Sequence, residues 1–276
     1  MRVTFALAIA GLALLAAPAH ADWQTTHRRA PAQAFEEATH LLAQNQRIAD
    51  KMSAFGDELK AGLTAEMGFP SNYVEHWHTA VDAALDPTLV EADFLAALEA
   101  GLSEKTREAA LAFEGSTRGQ QAYELMARSE PLKDDPQYLK QAQQYLKTAS
   151  PEQNARLVDL FEFQQGPLRA RQVVDVYFRA VKMAAEPVIG ADAAEQWVGA
   201  AEGKSDGYVE DIFLDTVATF RQLPEDQLQE LVDAIGTPEM LEYAQVSASA
   251  FGQTLIAALD RLEKAYAAEL ETSGSL

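Results

Sequence analysis

Apolar residues recur at spacings of three and four along almost the whole chain, and that regularity leaves few folds open. Over 32–59, AQAFEEATHLLAQNQRIADKMSAFGDEL, they fall at Phe35, Ala38, Leu41, Leu42, Ile48, Met52 and Phe55, with a slip near Gln44-Asn45. This is the pattern of one amphipathic helix, kinked at the slip. The same spacing joins Val90, Phe94, Ala97, Leu98 and Leu102. It joins Leu157, Leu160 and Phe161; then Val174, Tyr177, Phe178 and Val181, ending at Glu186-Pro187; then Val209, Ile212, Phe213, Val217 and Phe220. The longest series runs from Thr237-Pro238 to about Glu269 through Ala244, Ala248, Phe251, Leu255, Leu259, Leu262 and Tyr266.

The punctuation between these series is that of helix ends. Met67-Gly68-Phe69-Pro70 stops one helix, and Ser71 is placed to cap the next. Asp86-Pro87 opens another, because Asp accepts from free amides and Pro tolerates the first helical position. Ser150-Pro151-Glu152-Gln153 combines a hydroxyl cap, a proline and a capping-box glutamine. No alternating run bounded by a hairpin dipeptide interrupts them. The chain reads as all-α, a multi-helix bundle of about ten to thirteen helices.

Two stretches resemble each other. LSEKTREAALAFEGSTRGQQAYEL begins at Leu102, and LPEDQLQELVDAIGTPEMLEYAQ begins at Leu223. Each is a helix with acids in its first turn, a break at Gly115-Ser116 or Gly236-Thr237, and a second helix capped by the hydroxyl residue. Trp77 and Trp197 precede the two stretches by nearly equal intervals, and both are read as core anchors. The expectation is an internal duplication: a first helical lobe over 22–131, linking helices over 132–166, a second lobe over 167–270 and a frayed tail over 271–276. Chance likeness between amphipathic helices is the competing explanation.

The opening MRVTFALAIAGLALLAAPAHA carries one cation at Arg2, an apolar run and the small-x-small exit Ala19-His20-Ala21. It reads as a signal peptide over 1–21, cut after Ala21, which sends the protein to the periplasm. The run is shorter than the roughly 20 residues that span a bilayer. The chain has no cysteine, so packing must supply its stability. Without Arg2 the charged residues are 21 basic and 42 acidic, from 22 and 42 in the full sequence, a formal charge of −21. Such a field disfavours nucleic acid and anionic membrane surfaces and favours cationic partners.

Candidate chemistry is sparse. Glu75-His76-Trp77-His78 has the donor types that hold divalent metals, yet on a helix His76 and His78 point about 200° apart. They read as histidines flanking a buried tryptophan, with no metal and no cofactor expected; His27 and His40 are isolated. Ser116 follows Gly115 directly rather than standing between glycines at a strand-to-helix turn, so it reads as a cap and not a nucleophile. Acid pairs such as Glu36-Glu37 and Asp134-Asp135 read as surface. No catalytic set emerges, and the protein is not expected to be an enzyme.

Gly56-Asp57-Glu58-Leu59, Met67-Gly68-Phe69-Pro70, Trp77, Val81 and Asp86-Pro87, then LAFEGSTRGQQ and LPEDQLQELVDAIGTPEMLEYAQ, follow one another in an order that resembles a family of secreted helical bacterial proteins. It is the domain of unknown function numbered two thousand and fifty-nine, whose members of this length are frequent in alphaproteobacteria. The family's signature of Phe, then Ser-Pro-x-Gly, is matched by Phe113, Ser116, Thr117 and Gly119 without the proline, and by Ala234, Thr237, Pro238 and Met240 without the Phe and Gly. The resemblance implies an exported all-α protein and brings no activity, cofactor or site residue.

The function expected first is binding of another periplasmic or envelope protein, or a structural role in the envelope. The alternative is carriage of a cationic or amphipathic small ligand in a pocket between the lobes, lined by aromatics such as Phe213, Phe220 and Phe251.

Overall fold

The computed structural model describes residues 31–133, 135, 137–202 and 205–272. The signal-peptide reading, His27 and positions 273–276 of the tail lie outside the described residues; Glu271 and Thr272 still belong to the last helix. Every regular element among the described residues is helical. The order is α1 (Pro31–Asn45), α2 (Ile48–Ala61), α3 (Ser71–Ala84), α4 (Pro87–Gly101), α5 (Glu104–Glu114), α6 (Thr117–Ser129) and α7 (Tyr138–Thr148). It continues with α8 (Pro151–Phe163), α9 (Gly166–Ile189), α10 (Ala191–Glu202), α11 (Ser205–Phe220), α12 (Glu225–Ile235) and α13 (Pro238–Thr272). The all-α, multi-helix reading of the sequence is the fold observed.

Several helix ends follow from the residues that mark them. Asp86 accepts from the amides of Thr88 at 2.9 Å and Leu89 at 3.3 Å, with Pro87 in the first turn. Ser150 and Gln153 form both bonds of a capping box, at 3.0 and 3.1 Å. Ser116 accepts from the Gly119 amide at 3.0 Å, which gives its hydroxyl the capping role. Gly119 is needed for another reason: a Cβ there would stand 2.1 Å from the Phe113 carbonyl oxygen, so α6 can leave α5 this closely only without a side chain.

Three boundaries differ from expectation. The slip at Gln44-Asn45 is a full break between α1 and α2, made by Arg47 at φ 47°. Pro70, in extended conformation, takes the N-cap position of α3, and Ser71 is its first helical residue. The helix expected to stop at Pro187 passes through it to Ile189, and Gly190 at φ 82° ends it. A proline so near a helix end removes little of the hydrogen-bond ladder.

The longest helix, α13, is the axis of the molecule. It packs on α3, α4 and α5 from the first half of the chain and on α9 and α12 from the second. Leu255, Ala258, Leu259, Leu262 and Tyr266 line its buried face, in the register that the spacing predicts. Each fully buried leucine of this kind contributes about 2 kcal/mol relative to exposure. The buried apolar residues form one contiguous cluster reaching from Leu42 to Leu270.

The two similar stretches form two helix pairs that exchange partners: α5 packs on α13, and α6 on α12. Lys105 to Glu239 and Arg118 to Glu230 bridge the two contacts. The tryptophans ahead of them do not share one environment. Trp77 is fully buried, donates from Nε1 to the Leu59 carbonyl at 2.9 Å and meets Tyr266 edge-on. Trp197 is only half-buried, tilted against Phe69, so its reading as a core anchor is corrected.

Candidate functional site

The sequence-selected polar cluster does not assemble. Glu75 is exposed on α3, while His76 turns toward α13, its Nδ1 3.1 Å from Glu269 Oε2. His78 is half-buried on the other side of Trp77. No group of three or more metal-ligating side chains occurs among the described residues. Of the aromatics proposed to line a carrier pocket, Phe220 and Phe251 are buried in the core, and Phe213 is tilted against Phe161.

Polar groups converge elsewhere, around the ends of α1, α5 and α8 against one side of α13. Glu114 is the last residue of α5 and is 6% exposed. The Asn45 amide, at the end of α1, donates to Glu114 Oε2. Glu114 Oε1 and Asn45 Oδ1 are both buried without a hydrogen-bond partner among the described residues. The Gln46 amide donates to the Tyr243 hydroxyl of α13 at 3.0 Å. The Tyr123 hydroxyl of α6, buried and without a hydrogen bond of good geometry, stands beside the Glu114 carboxyl as a further donor.

The α8–α9 junction supplies donors. Gln164 is 5% exposed and its Nε2 has no partner. Arg169 is 1% exposed; its Nη2 donates to Ser247 Oγ at 2.8 Å and its guanidinium lies 5.7 Å from the centroid of the Phe251 ring. Its Nε has no partner, and no carboxylate pairs with it among the described residues. A buried cation in this condition is costly, by several kcal/mol.

Beside Glu114, Gln164 and Tyr243 lies a small pocket, whose walls do not include Asn45 or Arg169. Phe113, Phe163, Ile235, Met240 and Ala244 form its apolar walls, and Glu114, Gln164 and Tyr243 its polar ones. Its free volume is about 20 Å³. The enclosed part holds a water or two. Met240 and the half-buried Phe163 are the walls able to give.

The electrostatics follow from burial. Desolvation pushes the Glu114 carboxyl up to about 7, against the hydrogen bond from Asn45 and the influence of Tyr123. Burial lowers Arg169 to about 10. It also raises the Tyr243 and Tyr123 hydroxyls well above the ordinary range, so both remain neutral donors.

Two further features mark the site. The only non-glycine residues with positive φ among the described residues are Arg47 and Gln165, each directly following a residue of this cluster, Gln46 or Gln164. Such backbone conformations cost of order 1–3 kcal/mol and cluster where a site requires them. Both buried charges also sit at the unfavourable end of a helix, the carboxyl at the C-terminus of α5 and the guanidinium in the opening turns of α9.

No family model matches the chain, and neither does any curated protein or solved structure. No described helix is long and apolar enough to cross a membrane.

Proposed function

We propose that the protein is an exported all-α binding protein that holds a small amphipathic guest at Glu114. The guest's cationic or hydrogen-bond-donating head meets the carboxyl, and its apolar body lies against Phe113, Phe163, Ile235 and Met240. One observation carries this reading: a buried carboxyl with an unpartnered oxygen forms part of the wall of a largely apolar pocket. Small-ligand sites have this composition, apolar walls with a few convergent polar groups and a perturbed carboxyl among them. The guest is the one expected from the acidic sequence, received by Glu114 instead of an aromatic lining at Phe213, Phe220 and Phe251.

Export rests on the leader sequence through Ala21, and membership of the secreted domain-of-unknown-function family on the ordered landmarks from Gly56 to Gln245. Internal duplication is supported by the matching helix–glycine–hydroxyl–helix pairs and their exchanged contacts. A protein-partner role rests on export and helix repetition alone, which puts the ligand reading ahead of it.

The test is a native mass spectrum of the protein purified from the periplasm of exporting cells. The expected result is a chain beginning at Asp22 with a non-covalent small-molecule adduct that Glu114→Ala loses. A bare chain in both proteins would overturn the ligand reading, and a chain still carrying residues 1–21 would overturn export with cleavage.

A further inference from the structure

Asn45 and Glu114 make one hydrogen bond where their chemistry allows two. Asn45, the last residue of α1, donates through Nδ2 to Glu114 Oε2, and the two oxygens left over, Asn45 Oδ1 and Glu114 Oε1, are both buried and unpartnered. A carboxylate and a carboxamide can share only that bond, because their remaining atoms are acceptor and acceptor. A protonated carboxyl adds one O–H donor, and the acid and the amide then close a ring of two hydrogen bonds. Tyr123 can donate to Oε1, but Asn45 Oδ1 would still lack a donor, and a buried acceptor left unpaired bears its full desolvation cost.

The surroundings favour the acid over the carboxylate. Glu114 closes α5 at the end where the helix dipole opposes a negative charge. The titratable groups beside it are Tyr123 of α6 and Tyr243 of α13, both kept neutral by burial. The α1 end presents Asn45 and Gln46, and the α8 end presents Gln164, all uncharged; Arg169 of α9 acts on Tyr243. No cation pairs with the carboxyl among the described residues.

Helix α1 is the element such a bond can hold. Over 37–45 its buried side chains are Thr39, Leu42 and Asn45, and it packs mainly on α4 and α5. The chain beyond it is pinned separately. Gln46 donates to Tyr243 at 3.0 Å, and Arg47, at φ 47°, donates to Asp50 at 2.7 Å. A helix with few buried contacts, next to a fixed break, can open while the rest of the bundle stays folded.

We propose that Glu114 and Asn45 form a proton-dependent latch: with the proton on Oε1 the carboxyl donates to Asn45 Oδ1 while accepting from its amide, which holds α1 on α5, and loss of that proton to water releases α1. Burial keeps the carboxyl protonated up to about 7, so the latch works across neutral pH. It needs no guest in the pocket.

Hydrogen exchange of the mature full chain, read by mass spectrometry as protection factors at pH 6 and pH 8, tests the latch. The amides over 39–45 should exchange faster than those around Leu255 of α13 at both values, and their protection should fall roughly tenfold between them, the change in proton occupancy between a midpoint near 7 and one at 4.5. In Asn45→Leu that fall should shrink to about twofold or less, because the proton holds α1 only through Asn45. In Glu114→Gln, whose carboxamide makes both bonds without titrating, α1 should keep at pH 8 the protection the parent has at pH 6; this variant decides the matter if Asn45→Leu does not fold. Equal protection of α1 and α13 would make the opening global and overturn the latch. A tenfold fall persisting in Asn45→Leu would assign the effect to burial of the carboxyl alone, and an α1 that is unprotected at both pH values in Glu114→Gln would show that the two-bond pair does not hold it; either result overturns the proposal, as does protection unchanged between pH 6 and pH 8 in the unmodified protein.

Discussion

Asn45 and Glu114, separated by 69 residues, meet where two helices end: the amide of one donates to a buried carboxyl oxygen of the other. The bond fixes the break between α1 and α2 against the turn between α5 and α6. It leaves the second carboxyl oxygen unpartnered in the wall of the pocket, and from that asymmetry the ligand reading follows.

Glu114 should make stability fall as pH rises. Its carboxyl holds a proton to about pH 7 in the folded chain against an ordinary value of 4.5. The associated stability is fully present below pH 4.5, declines as pH rises to 7 and is constant above, a loss of about 3 kcal/mol. Glu114→Gln should therefore be more stable than the parent at pH 8 and close to it at pH 4, as read from urea unfolding at the two values. Equal differences at both would contradict the assignment.

Lys51 should act with the opposite sign and in another window. Burial first, then the charges of Arg169, Lys133 and Arg47, push its ammonium group down to about 7. The unfolded chain then binds the extra proton between pH 7 and 10.5, so stability rises with pH there. Lys51→Met should raise the unfolding midpoint at pH 7 and lose that advantage as pH approaches 10.5, which denaturant titration across the interval would read.

Gly119 and Gly199 are both helical glycines and should respond oppositely to alanine. At Gly119 the added carbon meets the Phe113 carbonyl at 2.1 Å, whereas at Gly199 it meets nothing within 4 Å. Gly119→Ala should destabilise by roughly 3 kcal/mol or more, in the range of severe overpacking. Gly199→Ala should stabilise by about 0.5–1 kcal/mol. Thermal unfolding of the pair distinguishes packing from propensity.

Ser150→Ala removes one bond of the capping box on α8 and frees the other. The expected cost is about 1 kcal/mol, a fall of about 2–4 °C in Tm for a chain of this size. An unchanged Tm would mean that the start of α8 is held by packing alone.

The fold was legible because helices announce themselves locally. Asp86, Ser116 and Ser150 cap where the sequence places them, and the buried face of α13 keeps its predicted register over many turns. The site was not legible, because its parts are single residues at four helix ends brought together only by packing. Asn45 showed as a slip in the apolar pattern, and Glu114 as one acid among 42. A sharper signal was present: Glu114 and Arg169 each lie on the buried stripe of their helix at the end where the helix dipole opposes their charge. The histidines drew attention by residue type, but helical geometry separates them.

Binding at Glu114 is tested most directly by its carboxyl titration, followed by carbon-13 NMR in the mature chain with and without isobutylamine. The expected midpoint is near 7 in the free protein and falls when the amine binds. A midpoint in the ordinary carboxylate range, unmoved by the amine, would contradict binding there.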